Sequence, residues 1–92
     1  MAIIKTTLVT GATGDTFVSL GTTAVLYSVR VAGTAVLVGA VQVKNGTTVQ
    51  ETLAAASAIG LDRPYYGALF DQGIRINLAN AGDTVQVIWG PA

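Results

Sequence analysis

Eleven glycines, at positions 11, 14, 21, 33, 39, 46, 60, 67, 73, 82 and 90, cut this chain into segments of strand length. That spacing constrains the fold more than any other feature. Val, Ile and Thr fill 30 of the 92 positions, and these β-branched side chains suit a pleated surface and lose χ1 freedom in a helix. The spacing predicts an all-β chain: one small antiparallel β-sandwich or jelly-roll-like barrel of about seven or eight strands, with residues 1–92 forming a single domain. A domain of this size buries only about 60–65% of the surface its unfolded chain exposes, so association would extend that burial.

The strands can be placed from their alternation and their turns. Ile3 to Thr10 is β-rich and runs into a turn composition, Gly11-Ala12-Thr13-Gly14-Asp15; Thr16 to Leu20 follows as a short apolar strand ending at Gly21. Val25, Tyr27, Val29 and Val31 alternate with Leu26, Ser28, Arg30 and Ala32, which predicts a core row of β-branched and aromatic residues. Val36 to Val43 reads as a strand, and Asn45-Gly46 after it suits the central pair of a type I′ hairpin returning through Thr47 to Leu53. The alanine run 54–58 is too short for a self-supporting helix and is expected to be a loop or one helical turn. Ile74, Ile76 and Leu78, then Val85, Val87 and Trp89, predict a closing hairpin around Asn80-Ala81-Gly82-Asp83, with Trp89 as a core plug.

Composition then narrows the function. The chain has no histidine, no cysteine and 11% charged residues, against about 25% in an ordinary soluble domain, and its mean hydropathy is +0.59. Without cysteine there are no disulfides and no thiolate metal sites. No Ser or Thr has a histidine to activate it, so no enzymatic activity, catalytic residue, metal or cofactor is expected. Five basic and five acidic residues balance to zero and are scattered, so no footprint for nucleic acid or an anionic membrane exists. The longest weakly polar stretch, Val31 to Val43, is shorter than the ~18–20 residues a membrane helix needs. The N-terminus shows no basic segment followed by an apolar run and a cleavage site, so synthesis in the cytoplasm is the expectation.

Three motifs have plain explanations. Leu8-Val9-Thr10-Gly11-Ala12-Thr13-Gly14 resembles the opening of short-chain dehydrogenases. However, Phe17 replaces the third glycine, the following residues are β-branched, and the chain is too short for a doubly wound sheet. Asn45-Gly46-Thr47 matches a glycosylation sequon, but a hairpin turn accounts for it. Asp62 and Asp71 flank Tyr65-Tyr66 and have the residue types of a cation site or an acid and base pair; turn formation accounts for them more simply.

The aromatic and N-terminal apolar residues carry the functional expectation. Adjacent tyrosines on a strand face opposite sides, so one of Tyr65 and Tyr66 faces out beside Arg63, as a protein or sugar contact would require. Ile3 and Ile4 cannot both point inward from a regular strand. Residues 1–10 are therefore either an arm that pairs with another sheet edge or an edge strand, and their deletion is expected to weaken association without unfolding the sandwich. The candidate partner interface is Ile3, Ile4, Arg63, Tyr65, Tyr66 and Phe70.

The run Leu26-Tyr27-Ser28-Val29-Arg30-Val31-Ala32-Gly33, the valine strand and Asn-Gly turn after it, and the segments Gly73-Ile74-Arg75-Ile76 and Thr84-Val85-Gln86-Val87-Ile88-Trp89 together resemble the small all-β structural proteins of tailed bacteriophages. The resemblance covers roughly residues 24 to 90. It implies a virion component made in the host cytoplasm, a capsid decoration or cement protein that binds the major capsid protein or other virion subunits. It also implies a homo-oligomer, a trimer by preference. A carbohydrate- or receptor-binding β module centred on Tyr65 and Tyr66 is the alternative.

Overall fold

The computed structural model describes residues 3–19 and 22–92. Among these residues lie eight strands: β1 (Lys5–Val9), β2 (Gly14–Phe17), β3 (Ala24–Ala32), β4 (Val41–Asn45), β5 (Thr48–Leu53), β6 (Asp62–Phe70), β7 (Ile74–Leu78) and β8 (Thr84–Pro91). They form two four-stranded sheets, β1-β8-β3-β6 and β2-β7-β4-β5, in which every pairing is antiparallel. β1 pairs with β8, β2 with β7, β3 with β6 and β4 with β5. The chain is thus one long hairpin, its tip at Gly46–Thr47, rolled into a sandwich. This is jelly-roll topology, one of the two all-β architectures expected.

The core is aliphatic and follows the period of two. Ile74, Ile76 and Leu78 of β7, Val41 and Val43 of β4, and Val85 and Val87 of β8 are all at most 1% exposed. Truncating one of the larger of these, such as Ile76, to Ala costs about 2–5 kcal/mol at a site that cannot collapse. Phe70 joins this core at 3% exposed, with its ring edge-on to Tyr65 at 6.0 Å.

Five expectations are corrected. The first concerns β3, whose register shifts between Leu26 and Ser28 against both neighbours. This bulge at Tyr27 flips the alternation. Ala24 and Leu26 face inward before it and Val29 and Val31 after it, while Val25 and Tyr27 are only half-buried. Second, β7 and β8 form no hairpin. They belong to opposite sheets, and Asn80–Asp83 is an arch between them, closed by the Asp83 amide donating to the Asn80 carbonyl at 3.0 Å.

Third, of the expected Val36–Val43 strand only Val41 to Val43 is extended and paired, and the strand runs on instead through Lys44 and Asn45. The amide of Leu37 donates to Ser57 and that of Ala56 donates to Leu37, while the amides of Val38 and Gly39 are captured by the Asp83 carboxylate. With the Leu37, Val38 and Gly39 amides held by neighbouring loops, this stretch does not extend the β4 ladder. Fourth, β2 starts at Gly14, inside the segment expected as a turn; Leu20 and Gly21, the expected end of that strand, lie outside the described residues. Fifth, the β4–β5 turn is centred one residue later than expected. Asn45 pairs with Thr48, leaving Gly46 and Thr47 as the central residues. Gly46 has φ +60° while Thr47 is not among the positive-φ residues, the pattern of a type II′ turn.

The alanine run is a loop, as expected, with Ala56 at φ +68°. β1 is an edge strand of its sheet. Because Val9 is 1% exposed and β1 pairs along five residues, removing residues 1–10 would take out part of the core, contrary to the expectation that the sandwich would survive it.

Candidate interaction face

The two sheets present chemically different exteriors. Paired residues in antiparallel strands share a face, so the register gives the outer rows directly. On the β1-β8-β3-β6 sheet one row is Thr6, Ile88, Ser28 and Pro64, and the next is Leu8, Gln86, Arg30 and Asp62. Across the bulge, Val25 stands between Gly90 and Leu69. Leu8 and Leu69 are 61% and 60% exposed. The charges in these rows are Arg30 and Asp62, which pair with each other at 3.9 Å at one corner.

The outer rows of the other sheet are Asp15, Asn77, Gln42 and Thr52, and Phe17, Arg75, Lys44 and Val49. Here Asp15 accepts from Asn77 Nδ2 at 2.7 Å, from Lys44 Nζ at 2.9 Å and from Arg75 at 3.5 Å. Those partners hold its carboxyl below the usual range, the Asn77 bond first and Lys44 next. The Arg75 guanidinium lies 4.1 Å from the Phe17 ring centroid, with its Nε buried and unpartnered. One carboxylate here meets two cations, and Phe17 and Val49, 44% and 45% exposed, stand in the second row, so this face is charged, hydrogen-bonded and only partly apolar.

Tyr66 borders the low-charge face. Between the pairs Leu26–Ala68 and Ser28–Pro64, three residues of β6 (Tyr65, Tyr66 and Gly67) oppose the single Tyr27 of β3. This protrusion puts Tyr66 and Gly67 at φ +55° and +76°. A left-handed backbone is uncommon for a bulky residue, and here it throws the Tyr66 ring outward to 90% exposure. Tyr27 fills the space beneath. A Cβ at Gly67 would stand 3.5 Å from one edge of its ring and a Cβ at Gly90 3.6 Å from the other. The Ile3 carbonyl passes over Gly90 so closely that any side chain there would collide with it. This crossing brings Ile3 and Ile4, 63% and 62% exposed, to the same face.

Of the six residues expected at a partner surface, the structure brings Ile3, Ile4 and Tyr66 to this border, takes Phe70 and Tyr65 into or against the core, and leaves Arg63 exposed on the other phase of β6, opposite Val29. Phe70 is a core residue, because it stands at the inward position of β6 opposite Ala24. Tyr65 is half-buried and packs on the core. Its hydroxyl donates to Glu51 Oε1 at 2.5 Å, and Arg63 Nε lies 3.4 Å from the other oxygen of that carboxylate. Burial first, and the Glu51 bond and charge next, push the Tyr65 phenol well above its ordinary value. Leu8 and Leu69 were missed by the sequence reading; their signal was an apolar residue on the polar phase of a strand.

Asp62 and Asp71 stand at opposite ends of β6 and form no pair: Asp62 meets Arg30, and Asp71 accepts from Asn45. Among the described residues no three of His, Cys, Asp and Glu stand together as a metal would need. Gly11 and Gly14, at φ +91° and +88°, serve the β1–β2 crossing between sheets. A cavity of about 280 Å³ lies between the 33–38 loop and the β7–β8 arch. The carboxylate at its edge, Asp83, is 4% exposed and already accepts from Val38 N at 2.8 Å and Gly39 N at 2.9 Å. Trp89 packs partly on the core, its Nε1 donating to Thr7 Oγ1 at 2.9 Å with Lys5 Nζ 5.1 Å from the ring centroid.

The fold and this face define a small antiparallel jelly-roll sandwich with one low-charge exterior. No family model, curated protein or solved structure matches the chain.

Proposed function

We propose that this chain is a non-enzymatic structural protein of a virion, a capsid decoration or cement subunit that lies on the assembled shell as a homo-oligomer, trimeric by preference. The carrying observation is the exterior of the β1-β8-β3-β6 sheet: its only charges in the outer rows, Arg30 and Asp62, pair with each other, and it presents Leu8, Pro64 and Leu69 to solvent beside the half-buried Ile88, bordered by Tyr66, Ile3 and Ile4. Exposed apolar residues rimmed by polar ones mark surfaces that other proteins cover. Eight-stranded jelly rolls also serve as capsid and lectin domains, a likeness of fold that supports the reading without deciding it.

Size argues for repetition. Four strands at ~4.8 Å spacing and about six residues along each give a face of roughly 400 Å², about half the ~800 Å² per partner of a standard stable interface. Tyr66, Ile3 and Ile4 widen it, and a shell that repeats the site adds avidity to an oligomeric ligand. With few charges involved, attachment is expected to vary little with salt.

The test is co-sedimentation of the chain with empty phage capsids, alongside its native mass. Retention on capsids that survives high salt and drops in a Tyr66→Ser/Leu69→Ser variant supports the proposal. A chain that stays monomeric at high concentration and binds no assembled particle ends it. The exposed, outward Tyr66 ring also favours a second reading, a glycan-binding module, since aromatic faces stack on sugars. A glycan array read with wild type and Tyr66→Ala separates the two.

A further inference from the structure

The Asn45-Gly46 dipeptide is not used by the proposed attachment, and the structure surrounds it with an unusual number of restraints. Asn45 Oδ1 accepts from the Gln72 amide at 2.9 Å and Asn45 Nδ2 donates to Asp71 Oδ1 at 2.9 Å. The Gly46 amide donates to the Gly73 carbonyl at 2.9 Å. This clip fastens the tip of the rolled hairpin to the β6–β7 turn. Gly46 cannot be replaced easily, because its φ is +60° and a Cβ there would stand 2.8 Å from Gln72 Cβ. The clip needs an amide at 45 and the turn needs glycine at 46. Together those demands impose a dipeptide with its own chemistry.

We infer that Asn45 is a latent self-modification site, held closed by the native clip and incompatible with it once converted. In the reaction the Gly46 nitrogen attacks Asn45 Cγ, forming a C–N bond and a five-membered imide. The Cγ–Nδ2 bond breaks and Nδ2 leaves as ammonia, carrying the Gly46 amide proton. Water then opens the imide at either carbonyl, giving an aspartate at position 45 or its isomer with the main chain running through the side chain. The sum is amide plus water to carboxylic acid plus ammonia, and no oxidant or other reactant is involved.

In the folded chain the attacking nitrogen's proton is held by Gly73 and both side-chain amide atoms are engaged. Asn45 is also paired on both sides, with Thr48 and Ile74, so both ladders hold its backbone in the extended conformation and oppose the rotation that closing the imide requires. Opening removes all of these restraints at once. The product cannot rebuild the clip. A carboxylate at 45 would face the Asp71 carboxylate at the present hydrogen-bond distance, and the isomer lengthens the main chain inside a two-residue turn. A chain that has stayed open is therefore marked against refolding.

Two measurements on the full chain test this. The folded protein and a sample in urea are aged together at mildly alkaline pH, and conversion at each Asn is followed by peptide mass and isoaspartyl content, with Asn77 and Asn80 as internal references. Asn45 is expected to convert about tenfold or more slowly when folded, the factor an opening free energy of about 1.4 kcal/mol sets. Equal rates overturn the protection. Separately, Asn45→Asp is expected to lower the urea midpoint, and Asn45→Asp/Asp71→Asn to recover it by exchanging donor and acceptor. If the single variant does not fold, recovery of folding by the double variant is the readout. A single variant as stable as wild type, or a double variant no better than the single, overturns the incompatibility.

Discussion

The Tyr65 hydroxyl donates to Glu51 Oε1 at 2.5 Å, and this bond ties β6, the edge of one sheet, to β5, the edge of the other. Glu51 pairs with the buried Val43 and so points inward from an edge strand, a device that discourages pairing with further strands. Its charge is tolerated there because the phenol and Arg63 satisfy it.

Tyr65→Phe should therefore destabilise the chain by about 1 kcal/mol, the ordinary net value of one hydrogen bond to a group that keeps partial access to water. Tyr65→Ala should cost about 3 kcal/mol or more, through the cavity left against Phe70. The alkaline consequence follows from the raised phenol. The proton is held more tightly folded than unfolded, so this contribution is complete below the ordinary tyrosine value and is lost as pH rises beyond it. Phenolate absorbance should show one of the three tyrosines ionising only as the fold is lost, and Tyr65→Phe should remove that late step.

Asp83→Ala should cost about 1–2 kcal/mol, since it removes the acceptor of the part-buried Val38 and Gly39 amides, in the loop packed against the arch. Asp83→Asn keeps one acceptor but turns an N–H donor toward the second amide, so its cost should be intermediate. Urea midpoints give the order, and hydrogen exchange at Val38 and Gly39 should accelerate selectively.

Asp15 contributes to the acid limb. Its carboxyl is lowered by Asn77 and then Lys44, so the stability it contributes is present above the ordinary carboxylate value and is lost as pH falls through the depressed one. Asp15→Asn should lower the urea midpoint near neutral pH and flatten its fall as pH drops below the ordinary carboxylate value. A variant that tracks wild type throughout would assign the acid limb elsewhere.

Tyr66→Gly separates fold from function. Tyr66 sits at φ +55° with 90% of its surface exposed. Glycine removes a left-handed penalty of about 1–2 kcal/mol and returns about 0.5–1 kcal/mol as unfolded-state entropy. Stability should rise by roughly 0.5 kcal/mol, read from the thermal midpoint, while shell retention falls. A large loss of stability would mean that the ring is structural.

Of the site, strand alternation made it legible that one of Tyr65 and Tyr66 faces out and that Ile3 and Ile4 are not both buried; that the outward ring is Tyr66, by its left-handed backbone, and that both isoleucines are exposed ahead of β1 was decided by the tertiary structure. Phe70 was misjudged because its phase depends on the β6 protrusion around Tyr66. Leu8 and Leu69 went unnoticed because each looks like an ordinary strand residue until its neighbours across two strands are known. Likewise, the Val25–Val31 row reads as one face until the bulge at Tyr27 divides it.

The sequence by itself determined that the chain is β, where most strands lie, and that Ile74, Ile76, Leu78, Val85 and Val87 are core. Those facts rest on side-chain chemistry with a period of two and on glycine at turns, both local. Which strand lies beside which was decided only in the tertiary structure. Asn80–Asp83 has hairpin composition, yet it became an arch because Asp83 found its partners in the distant Val38–Gly39 amides and β7 and β8 each had a better neighbour in its own sheet. Pairing energy is shared between segments far apart in the chain, and no local pattern carries it.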